Sequence, residues 1–288
     1  VVICRNLFDQ HLLIDLEKEW KKQFKHPAIS GTVGFAQTSY SKKTLSAFML
    51  GKSALEIATN NLLIDCIERY MKSPCTLAEA NAVFDKSTSY EYFGLHADFS
   101  VGWKKNHSMK KSLSKSDMKF PIGVGAIFYL HDTENGAFKY SLSSHKIQAK
   151  FGQKIKNYPQ PLKNEIINNI FVCRGKAGDM ILFDDRGFHG PDQPSVDNRR
   201  VIILDYYRDN TFGSTIVEPH KVRVTDLANL SKKQYKVLGF YAKNLVSPED
   251  YVYARFKKNK YFKLIAWIIE KSFITQHIKN LFKSKIGF

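Results

Sequence analysis

Pro121-Ile-Gly-Val-Gly-Ala-Ile-Phe-Tyr-Leu130 is the stretch that decides the fold, because it has the length of one strand and is rich in β-branched and aromatic residues. A polar turn follows at Asp132-Thr-Glu-Asn-Gly136, and Ala137-Phe-Lys-Tyr-Ser-Leu142 has the composition of a second strand. Three further strands are predicted at Ile170–Cys173, Asp179–Phe183 and Val201–Tyr207. Short strands joined by tight turns from about 83 to 208 predict an antiparallel barrel or jelly roll.

Helical patterns flank this β region on both sides. Apolar residues recur at steps of three and four from Phe8 to Trp20 and from Lys52 to Met71. Three more helices are predicted at 226–243, 248–256 and 261–285. We find no linker, and therefore expect one domain over 1–288. Its parts are a helical N-terminal support (1–82), a jelly-roll core (83–208) and a basic helical extension (209–288).

The composition excludes several classes of protein. The chain has 288 residues, of which 43% are hydrophobic, which excludes a disordered or fibrous chain. Lys and Arg number 44 against 27 Asp and Glu, so the net charge is +17 and anionic partners are favoured. The excess lies partly in Lys104–Lys119 and Lys257–Phe288. No apolar run approaches the ~20 residues that a membrane-spanning helix needs.

The basic tail and the cysteines bear on location. Residues 257–288 pattern as a basic amphipathic helix, which suits either peripheral contact with an anionic membrane or docking on the β core. The four cysteines are dispersed, and the first residues, Val1-Val-Ile-Cys-Arg5, lack the features of a signal peptide. We therefore expect a cytoplasmic protein, with peripheral membrane contact as an option. Nucleic acid is a weaker candidate partner, since no nucleic-acid-binding motif is present.

His96-Ala-Asp98 is the first candidate for chemistry. In an extended segment, residues i and i+2 face the same side, so the imidazole of His96 and the carboxylate of Asp98 converge. Together with one more histidine they form the 2-His-1-carboxylate triad of non-haem Fe(II) oxygenases. The motif alone is weak, since about 0.5 matches are expected by chance in a chain of this composition.

A second histidine lies in the right kind of context. His189 follows a predicted turn and strand and precedes Gly190, where the backbone can approach a ligand closely. Arg199 and Arg200 open the next strand, and an Arg fork suits a carboxylate. A metal with open positions beside an arginine fits 2-oxoglutarate, whose keto acid end chelates iron while its far carboxylate meets the arginine.

At this point the chain resembles the phytanoyl-CoA dioxygenase family of Fe(II)/2-oxoglutarate oxygenases. The matching residues, in order, are His96-Ala-Asp98, Asp132-Thr-Glu-Asn-Gly136, Ser143-Ser-His145-Lys146, Gly178-Asp179, His189-Gly190 and Arg199. The resemblance covers roughly 83–208, with about 90 residues between the two histidines. It implies a double-stranded β-helix of the cupin-like kind, iron bound by His96, Asp98 and His189, and an arginine that anchors 2-oxoglutarate.

Two details depart from the family or stay open. The usual Pro-Gly-Ser-His turn is Leu142-Ser-Ser-His145 here. The position at the strand start favours Arg199 as the anchor, whereas a spacing of eleven residues from the second histidine favours Arg200. Only one of them can reach the interior, because adjacent strand residues point to opposite faces. Trp103 and Lys104 follow the metal motif and are candidates for substrate binding.

The leading hypothesis is therefore an iron- and 2-oxoglutarate-dependent dioxygenase that uses O2. It would hydroxylate a C–H bond of a lipid, acyl, sugar or other small-metabolite substrate and would release succinate and CO2. Lys104 could bind this substrate if the substrate is anionic. The alternative is a non-catalytic jelly-roll module that binds an anionic glycan or lipid. A zinc hydrolase is third, because it leaves both arginines without a role.

Overall fold

The computed structural model describes residues 1–25, 35–37, 41–44, 46–85, 94–104, 112–192, 199–209, 220–239 and 251–253. Within these ranges the strands are β1 (Val2–Cys4), β2 (Phe35–Gln37), β3 (Ser41–Thr44), β4 (Cys75–Asp85), β5 (Gly123–Tyr129), β6 (Phe138–Ser141), β7 (Ile170–Cys173), β8 (Met180–Asp184), β9 (His189–Pro191), β10 (Arg199–Arg208), β11 (Lys221–Arg223) and β12 (Tyr251–Tyr253).

The helices of the same ranges are mostly short. The α-helices are α1 (Gln10–Lys25), α2 (Lys52–Ala58), α3 (Asn61–Met71), α4 (Gln160–Asn168), α5 (Val224–Leu227) and α6 (Lys232–Val237). Single 3₁₀ turns lie at Ala47–Leu50, Asp117–Lys119, Ser144–Ile147 and Ile155–Asn157.

Two sheets face each other, as in a jelly roll, and β11 and β12 pair separately as a third. The larger sheet has the order β1-β8-β5-β10-β4-β3-β2 and the smaller one β7-β6-β9, and all their pairings are antiparallel. His96 pairs with His189 and so extends the smaller sheet beyond β9. The predicted mainly β architecture with flanking helices is confirmed.

The larger sheet is buried on both faces. Along β10, Ile202, Leu204 and Tyr206 belong to the main core, which lies between the sheet and helices α1 to α3. Val201 and Ile203 point the other way, into a second apolar cluster between the two sheets. This alternation follows from the two-residue period of a strand, and it divides every strand of the sheet into a supporting face and an interior face.

The predicted helix from Lys52 to Met71 is two helices in the structure. Asn60 lies between them and caps α3, because its side chain accepts a hydrogen bond of 3.0 Å from the backbone N–H of Leu63. A short polar side chain satisfies one of the free N–H groups at a helix start, and the chain breaks there despite an unbroken apolar stripe.

Strands also begin earlier than the expected position of about 83. β4 starts at Cys75, and β1 pairs with β8, so the segment 1–82 contributes strands as well as helices. The alanine-rich sequence of β4 has few of the residues that strands favour, which explains why composition did not predict it.

The predictions for the C-terminal part have mixed outcomes. α5 and α6 lie where a helix was predicted over 226–243, with an interruption between them. The prediction of a helix over 248–256 is wrong at Tyr251–Tyr253, which pairs with β11 as a strand. The amphipathic segment 261–285 lies outside the described residues. None of the helices in the described ranges is long and apolar enough to cross a membrane.

Close packing on the interior face restricts one position of β5 to glycine. A Cβ atom added at Gly125 would lie 2.2 Å from Cζ of Phe183, far inside van der Waals contact. The Phe183 ring in turn lies against Phe138, with 4.5 Å between ring centroids, and against His189 at 4.6 Å. Gly125 therefore holds open the space in which the aromatic rings of the interior pack.

We expect Gly125→Ala to lower the free energy of unfolding by about 1–3 kcal/mol, the usual range for overpacking a core. Gly94→Ala is the control, because an added Cβ there has no atom of the described residues within 4 Å. Urea unfolding followed by fluorescence measures both. Equal stability of the two variants would contradict the packing argument.

Candidate metal centre

The structure brings His96, Asp98 and His189 together. One ligand atom from each of the three lies within 4.8 Å of the others. The carboxylate of Asp98 is between the rings, with Oδ1 at 3.5 Å from Nε2 of His96 and Oδ2 at 3.4 Å from Nε2 of His189. Two imidazole nitrogens and a carboxylate that converge on one point form a set of metal donors.

Two backbone hydrogen bonds hold the histidines opposite each other. The N–H of His96 donates to the carbonyl of His189 at 3.0 Å, and the N–H of His189 donates back at 2.8 Å. The pair is therefore a directly opposed antiparallel pair, whose side chains lie on the same face. Asp98, two residues on from His96, shares that face, and its N–H donates to the carbonyl of Asp185 at 3.0 Å.

Both imidazole rings are oriented by the backbone just before them. Nδ1 of His189 lies 2.9 Å from the carbonyl oxygen of Gly187, and Nδ1 of His96 lies 3.2 Å from that of Gly94. A carbonyl only accepts, so Nδ1 carries the proton and donates it. Nε2 of each ring is then left with a lone pair toward Asp98, which is the tautomer that a metal ligand needs.

The two histidines differ in basicity. Burial lowers the pKa of His96, but the hydrogen bond and the charge of Asp98 outweigh it and raise the pKa above its ordinary value. Burial lowers the pKa of His189 to about 4, against the opposing charge of Asp98. His189 is therefore neutral at every pH at which the protein is expected to work, while His96 is the ring that a proton reaches first.

The serine turn of the family resemblance supports the second histidine. The hydroxyl of Ser144 accepts a hydrogen bond of 2.8 Å from the N–H of Phe188 and donates one of 2.6 Å to the carbonyl of Ser141. It thereby fixes the residue that precedes His189. The departure at Leu142-Ser143 leaves this contact intact.

A buried ion pair fixes the start of the turn between β8 and β9, the turn that leads into His189. Arg186 donates to both oxygens of Asp184, from Nε at 2.8 Å and from Nη2 at 2.6 Å. Its Nη1 donates to the carbonyl of Met118, and the hydroxyl of Tyr70 on α3 donates to Asp184 at 2.6 Å. A two-point pair with additional hydrogen bonds is the geometry in which a buried pair is well satisfied. The turn between β8 and β9 is thus anchored to its surroundings.

The two arginines point to opposite faces of the sheet, as strand geometry requires. Nη1 of Arg199 lies 2.8 Å from Oδ2 of Asp85, and both side chains are buried on the interior side. The Nε of Arg199 is buried and has no hydrogen-bond partner. Arg200 pairs instead with Glu17 of α1 at 2.8 Å, on the supporting face.

The two candidate substrate residues are placed differently. Trp103 is half-buried, and its ring lies 5.0 Å from that of Phe99, edge to face. Lys104 is exposed, next to residues 105–111, which lie outside the described ranges. The structure therefore gives Trp103 a fixed environment and shows no partner for Lys104 among the described residues.

One interior residue was not singled out by the sequence. Asp185 is 1% exposed, and neither of its carboxylate oxygens has a hydrogen-bond partner. Burial and the nearby charges of Asp184 and Asp98 raise its pKa well above the usual range. The sequence shows two adjacent aspartates after a strand, and only the structure separates the paired one from the unpaired one.

Comparison with solved structures shows a fold shared with proteins whose structures contain bound 2-oxoglutarate. HygX from Streptomyces hygroscopicus, with nickel, 2-oxoglutarate and hygromycin B bound, is similar at a TM-score of 0.51 and 13% identity over 73% of this chain and 83% of that one. EctD from S. alaskensis, with 2-oxoglutarate and 5-hydroxyectoine, has a TM-score of 0.54 and 16% identity over 76% and 74%.

The epimerase SnoN, in complex with Fe3+, alpha ketoglutarate and nogalamycin RO, is similar at a TM-score of 0.51 and 15% identity over 74% of this chain and 79% of that one. No family model and no curated protein matches the sequence. At these identities the likeness shows the fold alone, and the expected jelly roll is confirmed.

We predict that one proton, not two, competes with a metal ion at this site. As pH falls, His96 is protonated first, because its pKa is raised, whereas His189 stays neutral down to about pH 4. Metal binding requires neutral imidazoles, so the affinity of the metal-free protein for Zn2+ should fall about tenfold per pH unit below the pKa of His96.

Competition with a chelator of known proton affinity, from about pH 8 to about pH 5, measures this slope. A fall of about a hundredfold per unit would mean that both histidines take up protons together, and would contradict the assignment.

Proposed function

We propose that this protein is an Fe(II)- and 2-oxoglutarate-dependent dioxygenase that hydroxylates a C–H bond of a small molecule, of the kind that the phytanoyl-CoA dioxygenase family represents. The observation that carries the proposal is the convergence of His96, Asp98 and His189 within 4.8 Å inside a jelly roll. The shared fold of iron- and 2-oxoglutarate-binding oxygenases supports the same reaction class.

The donor set fits Fe(II). Two neutral imidazoles and one carboxylate give the facial arrangement typical of non-haem Fe(II) oxygenases, with positions left open for other ligands. The carboxylate of Asp98 supplies one negative charge, which would compensate half of the 2+ charge of the ion. Its side chain is 33% exposed, so the side of the site that it forms is open to small molecules. His189, by contrast, is buried behind Phe138 and Phe183, which exclude water from its side.

The interior also fits 2-oxoglutarate. Arg199 lies in the space between the sheets, and its Nε is a buried donor that lacks an acceptor. A carboxylate is the acceptor that a guanidinium binds best, through two parallel hydrogen bonds. Asp85 takes one side of the Arg199 fork and leaves Nε available. We therefore assign the anchor to Arg199, and give Arg200 a structural role against α1.

When bound, iron and 2-oxoglutarate would supply the oxidising chemistry with O2, of which one oxygen atom goes to the substrate and the other to succinate, with release of CO2. The chain's own contribution is to hold and orient. His96 and His189 present Nε2 because their Nδ1 protons are held by backbone carbonyls. Asp98 is held through its backbone by Asp185. Arg199 would fix the far end of the cosubstrate. The substrate would approach from the exposed side of Asp98.

The substrate is proposed only as a class. The three similar structures contain different small molecules, namely hygromycin B, nogalamycin RO and 5-hydroxyectoine, which supports a small-molecule substrate here. A lipid, acyl or sugar group stays within the proposal. Membrane contact through 257–288 and a cytoplasmic location stay hypotheses as well, since these residues lie outside the described ranges.

We expect His96→Ala and Asp98→Ala to abolish succinate release. With Fe(II), O2 and 2-oxoglutarate, the wild type should form succinate, and a mixed library of small metabolites should stimulate it. Removing one of the three donors should weaken metal binding and disturb the arrangement of the remaining ligands. His11→Ala is the matched control, because its ring is exposed on α1.

Turnover like the wild type in either triad variant would refute the site. Metal binding without succinate release would favour the non-catalytic module or the zinc hydrolase.

The two arginines provide a second, internally controlled test. Arg199→Lys keeps the charge beside Asp85 but removes the planar fork, so we expect 2-oxoglutarate to bind about tenfold or more weakly. Arg200→Lys should leave that affinity unchanged, because the side chain contacts Glu17 on the other face. Calorimetric titration of the Zn2+-loaded variants measures both, and the reverse result would make Arg200 the anchor.

A further inference from the structure

A third segment of the chain lies beside the two histidines. His96 pairs with His189 on one side and with Lys154 on the other, and both pairings are antiparallel. The N–H of Ala97 donates to the carbonyl of Gln153 at 2.9 Å, and the backbone of Lys154 is extended, with φ −95° and ψ 128°. His189, His96 and Lys154 are therefore directly opposed in one ladder, and directly opposed residues carry their side chains on the same face.

The apolar packing on the other face agrees with this parity. Ala97 and Phe188 are members of one buried apolar cluster, and Ile155 packs against it. Each of these three residues is the chain neighbour of a residue in the ladder. Because side chains alternate along an extended chain, the side chain of Lys154 leaves the ladder on the face opposite this cluster, where the two histidine rings lie.

Two side-chain hydrogen bonds hold the segment around Lys154 in register. Gln153 donates from Nε2 to the carbonyl of Asp98 at 2.5 Å, and the hydroxyl of Tyr158 donates to the carbonyl of Gly152 at 2.9 Å. In an antiparallel pair of this kind the two Cα atoms lie about 4.5 Å apart. The side chain of Lys154 therefore starts next to a residue of the metal centre.

The segment that carries Lys154 is strongly basic. Residues 146–163 contain no Asp or Glu and five lysines, namely Lys146, Lys150, Lys154, Lys156 and Lys163. Lys154 is exposed, and none of the five forms an ion pair with a residue that the structure describes. Charges of one sign without counter-charges raise the local concentration of ions of the opposite sign. The surface beside His96 is therefore suited to an anion.

A loaded metal centre would not supply that anion. Asp98 and the keto acid carboxylate of 2-oxoglutarate would together balance the 2+ charge of the iron, and the far carboxylate would meet Arg199. The ammonium of Lys154 would keep its full positive charge. It lies on the face of the ladder from which the 33% exposed side chain of Asp98 is open to a substrate.

We propose that Lys154 binds an anionic group of the substrate, a carboxylate or a phosphate, and so selects for small organic anions. The inference rests on the proposed dioxygenase function and deepens it by naming the substrate class. An ammonium is a compact charge with three N–H donors, which suits both groups. The sequence suggested an anionic substrate through Lys104, and the structure places a different lysine beside the metal ligands.

The test uses matched pairs of compounds. Wild-type protein loaded with Zn2+ and 2-oxoglutarate is titrated calorimetrically with sugar phosphates and the free sugars, and with short-chain carboxylic acids and their primary amides. We expect at least one anion to bind about tenfold or more tightly than its neutral partner, which corresponds to ~1.4 kcal/mol. The two halves of the panel tell a phosphate from a carboxylate.

Three variants locate the preference. In Lys154→Met, which keeps most of the side-chain stem and removes the charge, the ratio of affinities should fall to about one. Lys154→Arg keeps the charge and should retain the preference. Lys150→Met is the matched control, because it removes an exposed charge from the same basic segment at a turn outside the ladder. It should leave the ratio unchanged.

Two further affinities show whether the site itself stays intact. Lys154→Met should bind Zn2+ at least as tightly as the wild type, because the change removes a charge of the same sign as the ion. Its affinity for 2-oxoglutarate should equal that of the wild type, because the cosubstrate would be held by the metal ion and Arg199.

Four outcomes would overturn the inference. They are a panel in which no anion binds more tightly than its neutral partner, a preference that survives in Lys154→Met, an equal loss in Lys150→Met, and a loss of 2-oxoglutarate affinity in Lys154→Met that matches the loss of preference. The last would assign Lys154 to the cosubstrate.

Failure of the dioxygenase function is a separate result. It appears as an absence of 2-oxoglutarate-dependent succinate release by the wild type, whereas the anion preference is measured on the Zn2+ form and does not depend on turnover.

Discussion

The alternation of side chains along β10 is the constraint on which the rest of the structure depends. This strand pairs with β4 on one side and β5 on the other, and both of its faces are buried. One face packs against the helices, and the other lines the space between the sheets. The same rule places Arg199 and Asp205 in that space and Arg200 against α1.

The smaller sheet completes the arrangement by holding the ligands opposite the larger one. The reciprocal hydrogen bonds of His96 and His189 make two distant parts of the chain into neighbours in one ladder. Ser144 and the pair of Asp184 with Arg186 then fix the turn that leads into the second histidine. The site is therefore built almost entirely from sheet geometry, with side-chain hydrogen bonds that hold its edges.

Local patterns predicted an antiparallel β core and placed His96 and Asp98 on one face, and the family resemblance added the jelly roll and His189 as the third member of the triad. The strands around Phe128 and Ile202 are rich in strand-forming residues, and the two-residue spacing of His96 and Asp98 already places them on one face. β4 was missed because its alanines carry little strand preference. The helix break at Asn60 was hidden by a continuous apolar stripe.

What the sequence could not give was the parity of the strands. A strand that is apolar on both faces has no polar side to mark its exterior, so nothing local decides which of two adjacent residues points inward. Arg199 and Arg200 were ambiguous for this reason, and the same limit applies to the adjacent Asp184 and Asp185. In each pair, only tertiary contacts tell the side chain that pairs on the helix side of the sheet from the one that lies in the interior.

The way the two histidine rings are held has a consequence for how the protein would acquire the proposed metal ion. Each Nδ1 is fixed by a carbonyl two residues upstream, and the peptides are locked in a ladder, so the donors are in place before any ion arrives. A preformed set of donors loses little conformational entropy when it binds an ion, unlike small domains that fold around their ion. The folded chain should accordingly exchange one divalent ion for another without unfolding. The concentration of each ion in the cell would then decide which one the site carries.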